Sequence, residues 1–122
     1  MTTREAVNPR QILTPVALHI LLSLADGERH GYGIKLEVED RTRGSLTLGP
    51  ATLYEAIHRM EKAGWIEVTD PPPNESPGRG NHRKYYCLTT EGRRQLHAEL
   101  HRLNEIVRFA KSKKLFSESR PS

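Results

Sequence analysis

Apolar positions along the chain fall into helical stripes separated by two short alternating runs. Leu13, Ala17, Ile20, Leu21 and Leu24 share one face at helical spacing. They follow a Thr14-Pro15 start, in which threonine can cap and proline is preset to a helical φ. Gly27 ends that segment, and Ile34 and Val38 mark a second helix from Gly31 to about Arg41, with Tyr32 as a packed anchor near its start. Residues 44–49 (Gly-Ser-Leu-Thr-Leu-Gly) alternate between bounding glycines, which predicts a short strand. Pro50 opens a third helix over 50–63, where Leu53, Ile57 and Met60 recur at i, i+4 and i+7 and Gly64 is placed to stop it. Residues 65–69 alternate as a strand that 84–88 can pair with. The 70–83 loop between them holds Pro71, Pro72, Pro73, Pro77, Gly78 and Gly80 and should project into solvent. Thr89 or Thr90 can cap a last helix in which Leu96, Leu100, Leu103, Val107 and Ala110 step by 4, 3, 4 and 3. That is a heptad seam, a pattern that another helix should cover.

The expected order is helix, helix, strand, helix, hairpin with a long loop, helix. It predicts a mainly α (α+β) fold: a winged helix-turn-helix with a two- or three-stranded wing sheet and a long C-terminal helix. The chain divides into an N-terminal segment (1–13), the winged domain (14–89), a dimerisation helix (90–116) and a tail (117–122).

Composition sharpens the picture in three ways. Only 35% of the 122 residues are hydrophobic, lean enough that part of the apolar surface is expected to be covered by a second chain. Lysine and arginine outnumber aspartate and glutamate by 19 to 15, for a net charge of +4, which suits a polyanionic partner. Cys87 is the only cysteine, so there is no intrachain disulfide or cysteine-rich zinc site, and a reducing cytoplasm is the expected compartment. No apolar run reaches the ~18 residues that span a membrane. Arg4 and Arg10 ahead of the apolar run 16–25, and the Ser23-Leu24-Ala25 spacing, have the outline of a secretory signal. His19 interrupts that run, and Asp26-Gly27 reads better as a helix stop.

The candidate chemistry is that of nucleic-acid binding. With Leu53, Ile57 and Met60 inward, the rest of the third helix presents Ala51, Thr52, Tyr54, Glu55, His58, Arg59 and Lys62. Small and hydroxyl residues at its start let the helix N-terminus approach phosphate, and His58 and Arg59 can reach base edges. Arg79, Gly80, Asn81, His82, Arg83 and Lys84 concentrate charge next to the second hairpin strand, and Lys35 adds a cation on the second helix. Taken alone, each feature also fits a solvated surface.

Other chemistries are weaker. His97 and His101 stand four apart on the last helix with Glu105 one turn on, a spacing able to hold Zn²⁺ or Ni²⁺ in a metal-responsive regulator; solvated helix residues are the plainer reading. Cys87 on a hairpin strand reads as a small core residue rather than a redox switch. Glu37, Glu39 and Asp40 read as a charge run that solvates the second helix. No nucleophile motif, phosphate loop or paired carboxylates argue for an enzyme, and no cofactor is expected.

Residues 18–33 (Leu-His-Ile-Leu-Leu-Ser-Leu-Ala-Asp-Gly-Glu-Arg-His-Gly-Tyr-Gly) resemble the opening of PadR-type transcriptional regulators. So do Gly49-Pro50-Ala51-Thr52-Leu53-Tyr54 running on to Gly64-Trp65-Ile66, and Arg83-Lys84-Tyr85-Tyr86-Cys87-Leu88-Thr89 followed by Glu91-Gly92. The likeness covers roughly residues 13–110 and is closest to the shorter branch with a single C-terminal helix. It implies a homodimer held by that helix, usually repressing a nearby gene, with Thr52, Tyr54, Arg79 and Lys84 on the DNA side. It also implies a small hydrophobic or phenolic effector, for hydrophobic drugs in a pore at the dimer interface. The remaining alternative is a winged helix used as a protein-interaction module.

Overall fold

Thr14 starts the first helix, α1 (Pro15–Ser23), by accepting a hydrogen bond from the Ala17 N–H at 3.1 Å, with Pro15 in the first turn. A computed structural model of the chain describes residues 12–73 and 84–116. Ile20, Leu21 and Leu24 point into the core, so the run that outlined a secretory signal is a core element of this fold. A two-residue strand, β1 (Arg29–His30), leads into α2 (Gly31–Arg41). His30 Nδ1 accepts from the Gly33 N–H at 2.9 Å and so caps α2, while its ring meets Tyr85 edge-on with centroids 5.2 Å apart. Ile34 and Val38 are fully buried.

Two expectations fail here. Residues 44–49 form no strand; the third strand of the sheet is β1, ahead of α2. The 44–49 connection is instead set by the end of α2: Arg43 adopts a φ of 54°, and Gly44 N–H bonds back to the Glu39 carbonyl. Leu48 is buried there, so the apolar half of the alternation was a packing signal without ladder bonds. Tyr32 is not a packed anchor either but is 54% exposed.

The third helix, α3 (Pro50–Lys62), buries Leu53, Ala56, Ile57 and Met60. It ends with Gly64 at φ 83°, where the Trp65 N–H reaches the Met60 carbonyl and the Gly64 N–H the Glu61 carbonyl. This is the left-handed termination that glycine favours. β2 (Ile66–Thr69) and β3 (Tyr85–Leu88) pair antiparallel, Ile66 opposite Leu88 and Thr69 opposite Tyr85, and β1 joins the other edge of β3, giving the order β1-β3-β2. The fold is mainly α with a small antiparallel sheet, as the hydrophobic pattern predicts.

Thr89 caps α4 (Thr90–Ser112), accepting from the Gly92 N–H and donating to the Gly64 carbonyl, which ties the start of α4 to the end of α3. The first half of α4 lies against α1 and β3. Leu96 is buried in the chain's own core, so it is not part of an open seam. Burying such a leucine is worth about 1.5–3 kcal/mol. Glu99, 4% exposed, is held by both nitrogens of the Arg102 fork at 3.0 and 2.6 Å. That hydrogen bonding keeps its carboxyl below the usual carboxylate range, so the buried group is ionised and paired.

Candidate nucleic-acid interface

Three helices begin with a side chain bonded to a free N–H: Thr14 for α1, His30 for α2 and Thr89 for α4. The start of α3 differs. Gly49 stands at its N-cap position with no side-chain cap, so the N–H groups of the first turn after Pro50 stay open at the positive end of the helix dipole. Such a start can take a phosphate oxygen.

At about 100° per residue, Ala51, Glu55, His58 and Lys62 form the outermost line of α3, and all four are exposed. Tyr54 lies on the flank towards α2. Its ring leans on Gly31, whose missing Cβ leaves room for the Tyr54 hydroxyl, so a side chain at 31 would displace the outer end of the tyrosine. Thr52 and Arg59 lie on the other flank, beside the start of α1. Among the described residues, no hydrogen bond or ion pair engages the side chain of Glu55, His58, Arg59 or Lys62. Glu55 and Arg59 have the i, i+4 spacing of a helix salt bridge and do not form one.

Lys35 sits differently. Its ammonium is 2.6 Å from Glu39 on the same helix, and that bond holds the Glu39 carboxyl below its ordinary value. Glu37 likewise bridges Arg29 at 2.6 Å and Arg41 at 3.0 Å, while Arg29 also donates to the Ser23 carbonyl and Arg41 to the His19 carbonyl. The carboxylates Glu37 and Glu39 are therefore built into ion pairs, Glu37's fastening α2 to the end of α1, rather than only solvating α2.

On the wing, Lys84 is exposed directly before β3. Arg79, Gly80, Asn81, His82 and Arg83 lie outside the described residues. Lys62, which the sequence pattern already puts on the outer face, falls in the outward line one turn after His58. On α4, His97 and His101 are exposed and Glu105 pairs with Arg108, and no group of three metal-ligating side chains comes together among the described residues. Cys87 is half-buried with its sulfur 4.0 Å from a Glu67 oxygen. Burial, then the Glu67 charge, pushes its thiol up, away from the reactive thiolate.

The second half of α4 presents Leu100, Ile106, Val107 and Phe109, with Phe109 64% exposed, while Leu103 and Ala110 are half-buried. Ile106 and Phe109 fall outside the predicted heptad stripe and were not foreseen. No helix among the described residues is long and apolar enough to cross a membrane.

The pattern of known relatives follows the same elements. The chain is 33% identical over 97 residues to a transcriptional regulator of Mycobacterium tuberculosis, covering 76% of this chain and 79% of that one. The solved structure of a PadR family transcription regulator from Clostridium difficile is similar with a TM-score of 0.64 and 28% identity, over 81% of this chain and 97% of that one. Bacillus subtilis PadR, solved in complex with operator DNA, shares the fold with a TM-score of 0.59 at 22% identity, over 71% of this chain. This chain spans about half of it, 47%. A model of the transcriptional regulator PadR-like family matches residues 20–98, from the core of α1 through the first half of α4. With its helices, sheet and matched residues all in that order, the chain belongs to the PadR-like family of transcriptional regulators.

Proposed function

We propose that the chain binds double-stranded DNA as a homodimer, with α3 in the major groove and the 70–84 wing on the backbone, and represses transcription from a pseudo-palindromic operator. The observation that carries this reading is the state of α3: an uncapped helix start and, further along the same helix, exposed His58, Arg59 and Lys62 that no other described residue engages. Open N–H groups and cations bind phosphate, and an unpaired arginine can read guanine. Ala51, Thr52, Tyr54 and Glu55 complete the reading face, and Arg79, Gly80, Asn81, His82, Arg83 and Lys84 form the wing contact. That Bacillus subtilis PadR, which shares the fold, was solved in complex with operator DNA supports DNA as the partner.

The dimer is supported by apolar side chains left open on one helix: Leu100 and Val107 from the seam, together with Ile106 and Phe109. Two recognition helices related by a two-fold axis then reach grooves one helical turn, roughly 34 Å, apart. A small hydrophobic or phenolic effector at that interface acts by changing the angle between the two heads.

Binding of labelled duplexes from the gene's own upstream region, measured against salt, tests the reading. A footprint with two-fold symmetry and a steep fall of log K with log salt is expected. No binding to any duplex at low salt overturns it in favour of a protein-interaction module. Sedimentation of Ile106→Asp and Phe109→Asp variants tests the dimer, since a charge in each copy of a buried seam should leave monomers.

A further inference from the structure

The rest of the chain holds the last helix at two places. In its first turn, Gly92 lies against the Trp65 carbonyl so closely that no Cβ fits between them. Two turns on, the Glu99 carboxylate takes the Arg102 fork at 3.0 and 2.6 Å and also accepts from the Leu13 N–H. Leu13 is itself buried and directly precedes the Thr14 cap of α1. Burial along α4 ends at this second place: Gly92, Gln95, Leu96 and Glu99 are buried, Arg102 and Leu103 half-buried, and 104–109 exposed. Glu99 therefore stands at the root of an arm, residues 100–112, about 20 Å long at 1.5 Å per residue. A tilt of roughly 10° at the root moves its tip by about 3 Å.

Filling the space at 99 does not call for a carboxylate. Exchanging a buried ion pair for apolar side chains of similar volume is often neutral or stabilising. What the carboxylate adds is direction. Apolar contact is non-directional and lets a helix roll, whereas hydrogen bonds have restricted geometry. Arg102 neutralises the carboxylate from within α4, and the Leu13 N–H ties it to the entrance of α1.

We propose that Glu99 is a positioning residue: held by Arg102 and the Leu13 N–H, it fixes the angle at which the outer half of α4 leaves the winged head. Through that angle it sets the spacing of the two reading helices in the dimer. The spacing half rests on the proposed dimeric DNA binding; the mounting of α4 does not.

Nitroxide labels at Glu67→Cys on the head and Ser112→Cys near the tip, in a Cys87→Ser chain, report the angle as a distance. Diluting labelled chains in excess unlabelled chain restricts the reading to pairs within one chain. The otherwise native chain should give one narrow distance. Glu99→Leu should broaden or shift it by about 3 Å or more while melting at or above the wild-type temperature. Glu99→Gln keeps an oxygen for the Leu13 N–H and should retain the native distance. Leu96→Ala, a plain loss of core, should melt several degrees lower with the distance unchanged. On unlabelled chains, Glu99→Leu should lower affinity for an upstream duplex with two half-sites about tenfold, the scale of lost preorganisation, and leave a single half-site unaffected. An unchanged, narrow distance in Glu99→Leu overturns the proposal. So does a Glu99→Leu chain that unfolds or melts as low as Leu96→Ala, since the pair then serves stability. A Glu99→Gln distance as broad as that of Glu99→Leu overturns the tie to Leu13, and equal losses on both duplexes overturn the spacing role. If the distances respond while no duplex binds at low salt, the mounting stands and the DNA reading falls.

Discussion

The two consecutive helices α2 and α3 are of similar length and each carries several charged residues, yet they treat those charges in opposite ways. On α2, Lys35 is ion-paired with Glu39, and Glu37 with both Arg29 and Arg41, and His30 caps the helix. On α3, no side chain caps the helix, and Glu55, His58, Arg59 and Lys62 stand in solvent unengaged by other described residues. A charge that already has a partner must lose it before meeting a ligand, whereas an unpaired one on a rigid helix is available without rearrangement. Charge content does not separate the supporting helix from the reading helix; the pairing of those charges does.

The sharpest way to break this contrast is to remove the unpaired cations. Arg59→Ala combined with Lys62→Ala should lower duplex affinity about 100-fold, from roughly 1–3 kcal/mol per contact. Thermal stability should stay within about 0.5 kcal/mol, since no other described residue is hydrogen-bonded or ion-paired to either side chain. Equal losses of folding stability and binding in that variant would make α3's charges structural. The converse substitution lies on α2. Glu37→Ala releases two arginines at once and should cost about 1 kcal/mol of stability, discounted because all three groups are about a third exposed. Urea unfolding measures it, and unchanged DNA affinity per folded molecule is expected.

A finer test compares two lysines. Lys62→Ala should flatten the slope of log K against log salt by about one unit, and Lys35→Ala should leave it unchanged. A change of slope in Lys35→Ala would restore Lys35 to the contact surface. The smallest effect concerns acid. Because the Lys35 hydrogen bond holds the Glu39 carboxyl below its ordinary value, the unfolded chain takes up this proton at higher pH than the folded one. The pair's contribution is thus complete above the ordinary carboxylate range and is lost as pH falls through the lowered value. Glu39→Gln should show a slightly shallower loss of stability across that window than the wild type, measured by denaturant unfolding at a series of pH values.

How far such features can be read from sequence differs by element. The start and stop of α3 were legible because Pro50, the Leu53-Ile57-Met60 spacing and Gly64 act within one or two turns. The sheet was half legible. β2 and β3 alternate, but Arg29-His30 carries no strand pattern and joins the sheet only because β3 offers it an open edge. The Leu46–Leu48 alternation misled for the complementary reason: Leu48 is buried by packing, with no neighbouring strand to bond to. Tyr32 and Tyr54 look alike in sequence and are both exposed, yet only Tyr54 rests on Gly31 across the α2–α3 contact. The α4 seam was read as one stripe, whereas Leu96 is core, Leu100 and Val107 are surface, and the exposed Ile106 and Phe109 lie off it.

What the sequence by itself determined was local: where helices begin and end, which face of α3 turns inward, and the order of elements that marks the family. Those are set by interactions over a few residues, whose spacing is visible in the chain. Only the tertiary structure decided which charges are paired, which seam residues the chain covers for itself, and that a cavity opens between α1 and the flank of α3. Each depends on groups far apart in sequence meeting in space, as Arg41 meets the His19 carbonyl and Val16 and Met60 line one cavity. Residue type fixes what a side chain can do; the fold fixes whether it is already doing it.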